Sequence, residues 1–185
     1  MKMAAFAVLP AMLLFLGMIN DSQANDFDDD WMGTNDFGGT GLIQTRTART
    51  APDGMLEVGY SHITPYKRYY MTLQGLPWLE GTFRYTEVTN RLYSPFLTFS
   101  GSQTFKDRGA DITLRIMEES KYVPALALTL QDGLGTGQFA GEYLSASKRY
   151  FDLDFSFGVA WGYAASGSNM KNPLINFSED FRARD

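Results

Sequence analysis

Oily side chains recur at every second position over long stretches of this chain, and that rhythm restricts what it can fold into. From Phe151 to Tyr163 the odd positions read Phe, Leu, Phe, Phe, Val, Trp, Tyr, while the even positions read Asp, Asp, Ser, Gly, Ala, Gly. Leu79, Gly81, Phe83 and Tyr85 alternate with Glu80, Thr82, Arg84 and Thr86. Ala110, Ile112, Leu114 and Ile116 alternate with Asp111, Thr113 and Arg115. Successive strand residues point to opposite faces, whereas a helix would scatter each of these sets around its axis. Each segment therefore reads as a strand with one oily and one polar face.

Weaker alternation marks Met55–Ile63, Arg68–Gln74, Ala125–Gln131 and Phe139–Arg149, with a short strand expected in Gly41–Thr45. Turn signals separate them: Asp53-Gly54, Thr64-Pro65, Gly75-Leu76-Pro77 and the Gly-rich run Asp132–Gly137. A further tight turn is expected between Tyr150 and Asp152, and Asn90–Gly109 reads as a longer connection. Met117–Tyr122 has room for one helical turn before Pro124. The expected fold is all-β, an antiparallel meander of about seven or eight strands. Composition agrees: aromatics are 15% with 18 glycines and only 20% charged residues, which suits strands and tight turns. The 44% hydrophobic content excludes a disordered chain.

Two architectures share this alternation. A soluble sandwich packs its oily face on a second sheet. An outer-membrane barrel turns the oily face to lipid and the polar face to a lumen. Strand length favours the barrel, because spanning strands need roughly 9–11 residues against about five or six in soluble sheets. The three clear oily faces carry no charge, as lipid demands, since Arg or Lys at the bilayer midplane costs about 2–4 kcal/mol. Trp78, Tyr85, Trp161 and Tyr163 fall near strand ends, where an aromatic girdle would sit. The expectation is thus an outer-membrane-type β-barrel, or an incomplete portion of one, preceded by a signal-peptide helix.

Lys2, an uncharged apolar run from Met3 to Ile19, and Ser22-Gln23-Ala24 form a secretory signal pattern with cleavage after Ala24. A retained anchor is the competing reading, although the run is slightly short of the roughly 20 residues a span needs. The acidic run Asp26–Asp30 reads as a solvated new N-terminus rather than a calcium site. The expected organisation is a signal peptide at 1–24, an acidic Gly-rich linker at 25–40, a barrel portion at 41–165 and a tail at 166–185.

Chemistry-bearing constellations are scarce. With no Cys there is no disulfide, thiolate metal site, Cys nucleophile or Cys-linked lipid. His62 is the only histidine, so a triad or multi-histidine metal site has little to build on, and it reads as a strand residue. Gly38-Gly39-Thr40-Gly41 is not followed by Gly-Lys-Ser/Thr and is no P-loop. It and Gly135-Thr136-Gly137 read as backbone bends of close approach. Glu118 and Glu119 are adjacent and on a strand would face opposite ways, which disfavours joint acid–base work. The net charge of -5 argues against nucleic acid. No enzyme activity, cofactor or metal is expected. The residues singled out are polar side chains expected to line a barrel interior: Glu80, Arg84, Asp111, Arg115, Asp152 and Asp154.

Several runs resemble the N-terminal part of the YjbH family of exopolysaccharide biosynthesis proteins, related to group 4 capsule proteins. They are Gly39–Thr45, Thr47-Ala48-Arg49, Ala51–Gly54, Tyr69–Gln74, Leu76–Glu80, Phe83–Thr86, Lys106–Asp111, Glu118–Ala125, Gly135–Gly137 and Glu142–Arg149. The resemblance covers about Asn35 to Tyr163. It implies an outer-membrane β-barrel protein assisting exopolysaccharide or capsule export or assembly, with outer-membrane lipids, the polysaccharide and export-machinery proteins as partners. Members are considerably longer, so it implies a truncated one here. Two departures stand out. Arg46 stands where the family often has Pro, which is expected to loosen that turn, and the chain lacks the Cys that lipoprotein members carry. The alternative function is a periplasmic glycan-binding β-sandwich.

Overall fold

The computed structural model describes residues 32–165, 170–179 and 181. The expected signal peptide at 1–24 and the acidic run Asp26–Asp30 lie outside the described residues. The described residues fall within one compact unit.

A small hairpin comes first, β1 (Gly41–Leu42) paired with β2 (Thr45–Arg46). Seven longer strands follow: β3 (Leu56–Ile63), β4 (Tyr66–Leu76), β5 (Leu79–Leu92), β6 (Thr104–Met117), β7 (Ala125–Gln131), β8 (Gly141–Tyr150) and β9 (Leu153–Gly162). They form one antiparallel sheet in sequence order, β3 through β9, an open half-barrel. Each strand pairs with the next along the chain, the simplest meander that turn-separated alternating segments can make. Local irregularities between Gln74 and Leu76, Val88 and Leu92, and Arg115 and Met117 shift the register, the kind of local bend that curves a sheet.

The sheet is inside out relative to a soluble one. The oily rows point outward and stay uncovered: Val58 is 74% exposed, Phe83 50% and Phe157 72%. Their polar neighbours are buried on the other face, Arg84 at 0% and Glu80 and Asp111 at 2% each. The sandwich arrangement is not found, because the only other sheet among the described residues is the two-stranded hairpin β1–β2. Exposed large apolar side chains on six of the seven strands, all but β7, are far beyond the isolated patches a soluble monomer normally shows.

Residues 33 to 50 lie against the polar face. Asn35, Asp36, Phe37, Thr40, Arg46, Thr47 and Ala48 are all buried. Glycine makes this close approach possible. A Cβ on Gly38 would lie 2.5 Å from the Tyr70 ring, and one on Gly59 would lie 2.3 Å from it. The Tyr70 ring thus lies between two positions that only a hydrogen side chain fits. What dry core exists is small: Phe37, Val88 and Phe139 with Tyr66 and Phe105 packed against them, and separately Ala48 with Ala125 and Ala127.

Strand limits differ from the sequence expectation at the β5–β6 hairpin. Both strands run further, so the connection is shorter than Asn90–Gly109, and it carries one helical turn, Leu97–Ser100. Thr89-Asn90-Arg91 has no oily face to announce a strand; Tyr93 N–H donating to the Gln103 carbonyl at 2.9 Å and Thr104 Oγ1 donating to Glu87 at 2.5 Å hold the extension. Met117–Tyr122 forms no helix. Beyond β9, residues 170–179 fold back, with Trp161 Nε1 donating to the Met170 carbonyl at 3.0 Å and Asn172 Nδ2 donating to Glu142 at 2.9 Å.

Candidate functional site

The concave face is built from one residue in two of each strand. Pairing sets Thr72 of β4 beside Thr82 of β5, and Thr82 beside Asp111 of β6. Thr113 of β6 lies beside Thr129 of β7, their hydroxyls 3.0 Å apart. Alternation therefore delivers Glu80, Arg84 and Asp111 to one surface, and the structure brings these three sequence-predicted residues together.

Their partners come largely from the 33–50 segment. Asp111 is the hub: its Oδ2 accepts from Arg46 Nη2 at 2.5 Å and from Arg84 Nη1 at 2.8 Å. Its Oδ1 accepts from the Asp132 backbone N–H at 2.9 Å. Arg46 also donates to Gln131 Oε1 at 2.9 Å. Glu80 accepts from the Thr40 N–H at 3.2 Å and its hydroxyl at 2.5 Å. Arg68 donates to Asp36 at 3.0 Å, and the Thr72 hydroxyl donates to the Gly38 carbonyl at 2.6 Å.

Three guanidiniums also surround one ring. The Cζ atoms of Arg68, Arg84 and Arg46 lie 4.3, 5.0 and 6.0 Å from the Phe37 ring centroid. A cation over an aromatic face is favourable by up to about 2 kcal/mol once desolvated. Phe37 therefore serves the buried cations as well as packing edge-on against Phe139 and Tyr163.

The other predicted residues lie elsewhere. Arg115 donates to the Thr50 hydroxyl at 3.1 Å and pairs with Glu118 at 2.9 Å. Asp154 receives Arg49 through two bonds, at 2.9 and 2.8 Å. Asp152 does not join the surface: it is exposed in the turn between β8 and β9. Alternation had carried it into the strand, which begins only at Leu153.

A second ion cluster sits at the strand ends. Glu119 pairs with Arg49 at 2.6 Å and Lys148 at 2.7 Å, and accepts from the Arg149 N–H at 3.0 Å. Burial alone would raise the Glu119 carboxyl, but the bonds from Lys148, Arg149 and Arg49 outweigh it and hold it below the usual range. Burial would likewise lower Arg49, yet Asp154 and Glu119 outweigh it and raise its value. In the loop after β7, burial raises the Asp132 carboxyl despite the Phe139 N–H bond, and the nearby Asp107 charge adds to the rise.

Arg49, Asp36, Arg68, Phe37 and Gln131 were not singled out from sequence, and Arg46 only as a departure from the family pattern. Arg68 and Gln131 lie in predicted strands, Arg46 and Arg49 interrupt an otherwise uncharged run, Gly38 to Ala51, and nothing marked Asp36 or Phe37. Among the described residues, no three His, Cys, Asp or Glu side chains are grouped to hold a metal. His62 is an exposed residue of β3 beside Tyr60.

The sequence matches the family described as "Exopolysaccharide biosynthesis protein YbjH" over residues 33–185, nearly the whole compact unit. The chain belongs to the YjbH family. It is 46% identical over 151 residues to the "Uncharacterized lipoprotein YjbH" of Escherichia coli (strain K12). The match covers 82% of this chain but 22% of that relative, so the chain spans about a fifth of the length of the relative it matches. No solved structure matches.

The runs that carry the YjbH resemblance have physical positions here. Gly39–Thr45 makes the crossing over Glu80 and the small hairpin. Thr136 of Gly135-Thr136-Gly137 donates its hydroxyl to Asp107. Arg46 lies in the hairpin strand β2. It pairs with Gly41 in the hairpin and anchors it to Asp111.

Proposed function

We propose that this YjbH-family chain is a non-enzymatic wall component of the outer membrane that assists exopolysaccharide export or assembly. The observation that carries the reading is the inverted sheet: oily side chains exposed on six of its seven strands, charged and hydroxyl side chains buried behind them. Exposed apolar surface is costly in water, at about 25 cal/mol per Å², and costs nothing in lipid.

Exposed aromatic side chains support it. Tyr60, Tyr69 and Tyr85 form an outward row across the interior of β3 to β5 with neighbouring centroids 5.0 and 6.5 Å apart. Tyr122, Tyr150 and Phe151 are exposed at the turns that end β6 and β8, where headgroup-level aromatics sit in membrane barrels. β3 and β9 are the two edges of the sheet, and lipid does not tolerate unpaired backbone groups, so both edges need partners in a bilayer. The polysaccharide role is supported by the family's description, and the matched relative is named a lipoprotein.

Membrane fractionation of the mature protein, followed by gels of heated and unheated samples, tests the proposal. A membrane-bound species whose mobility changes on heating is expected, and a fully soluble product would sink it.

A further inference from the structure

We propose that residues 33–50 form a displaceable plug, and that the face beneath them is a track for a polyhydroxylated polymer. The inference rests on the export reading above and deepens it.

The plug is not part of the wall. Its hairpin pairs only with itself, and no strand of the half-barrel takes it as a neighbour. It is held by side-chain contacts along its length: Asp36 to Arg68, Gly38 to Thr72, Thr40 to Glu80, Arg46 to Asp111, Ala48 N–H to Ser147 at 2.9 Å, and Arg49 to Asp154. Apart from Phe37 and Ala48, these anchors are polar. A polar surface loses little when it parts into water, because water re-forms its hydrogen bonds.

Several polar atoms at the contact have no protein partner. Buried and without a partner are Asn35 Nδ2 and Asp36 Oδ1 on the plug, and Nε and Nη2 of both Arg68 and Arg84, Thr86 Oγ1 and Gln74 Oε1 on the wall. Each is a donor or acceptor that water or a ligand hydroxyl would satisfy. These polar atoms have no protein partner while residues 33–50 are in place, unlike the atoms of an apolar core.

The ligand class follows from the vacated face. Thr72, Thr82, Thr129, Ser145 and Gln131 offer hydroxyls and an amide, with Tyr143 as a ring to stack on. Beside the charged Arg68, Glu80, Arg84 and Asp111 of the same face, those donors, acceptors and the aromatic ring suit sugar hydroxyls and ring faces.

Hydrogen exchange followed by mass spectrometry on the mature chain in detergent micelles tests both parts. Peptides covering 35–48 should exchange in their own phase, while those of β4 to β8 stay protected. Arg46→Gln should accelerate that phase at least tenfold without touching the strands. Because the native chain has no Cys, an Ala48→Cys, Ser147→Cys pair can be oxidised to slow the phase and reduced to restore it. Dextran and alginate oligosaccharides are the probes, and acceleration by either supports the track. Exchange of 35–48 only together with the strands overturns the plug. Independent exchange that neither oligosaccharide accelerates overturns the track. Heat modifiability of the same sample reports the barrel reading separately.

Discussion

Arg46 and Asp111 stand 65 residues apart in sequence and meet at 2.5 Å, with side chains 2% and 1% exposed. The contact ties the N-terminal segment to the middle of the sheet, and Arg84 shares the same carboxylate oxygen. One anion thus offsets two buried guanidiniums. Removing one member of such a group is far costlier than the net worth of the group, because the remaining charges stay buried without compensation.

Asp111→Ala should therefore lower stability by about 3–5 kcal/mol. The check is the midpoint of urea unfolding, followed by loss of heat-modifiable mobility. Asp154→Ala at the partly exposed strand end should cost much less, near the roughly 0–1 kcal/mol of surface pairs.

Phe157→Arg places a charge in the middle of the outward row of β9. At a site 72% exposed the change would be nearly neutral in water. In a bilayer it should cost about 2–4 kcal/mol. Reduced membrane-inserted yield, with the protein moving to the aggregated fraction, is the expected result.

Glu119 carries a pH dependence whose sign is fixed by its lowered carboxyl. Its contribution is present above the ordinary glutamate range, about pH 4.3, and is lost as pH falls through the lower folded value. Glu119→Gln should remove that component, so wild-type and variant midpoints should converge in acid and separate at neutral pH.

Asp132 runs the other way. Its carboxyl is raised, so its ionised form is disfavoured in the fold, and its contribution is fully present below the ordinary aspartate value and lost as pH rises through the folded value. Asp132→Asn keeps an oxygen to accept from Phe139 and should leave neutral-pH stability unchanged or raised, as thermal midpoints would show.

Gly59→Ala should destabilise by about 1–3 kcal/mol, since the new methyl would lie 2.3 Å from the Tyr70 ring. Gly75→Ala, with nothing within 4 Å of the added Cβ, is the control, and urea midpoints separate the two.

The wall was legible because alternation is a local signal. Leu79–Tyr85 and Ala110–Ile116 lie wholly within β5 and β6, and Ala125–Gln131 coincides with β7. The orientation was legible too, since uncharged oily rows imply an apolar surround. The partners of the polar rows were not. Arg46 to Asp111 and Ala48 to Ser147 join residues 65 and 99 positions apart, and no periodicity reports a contact between a loop and a distant strand. Glu142 shows a further limit. Its row reads outward, with Leu144 beyond it, yet Asn172 from the C-terminal stretch covers and bonds it. Asp152 shows the converse, where alternation continued through a turn that local backbone geometry imposed, with Phe151 at a φ of 51°.

Spin labels placed one at a time from Leu79 to Val88, in membranes, would test the central claim most directly. Collision with lipid-dissolved oxygen should be high at Leu79, Gly81, Phe83 and Tyr85 and low at Glu80, Thr82, Arg84 and Thr86. Equal oxygen access at both sets, or higher access at the even positions, would contradict a sheet whose oily face meets lipid.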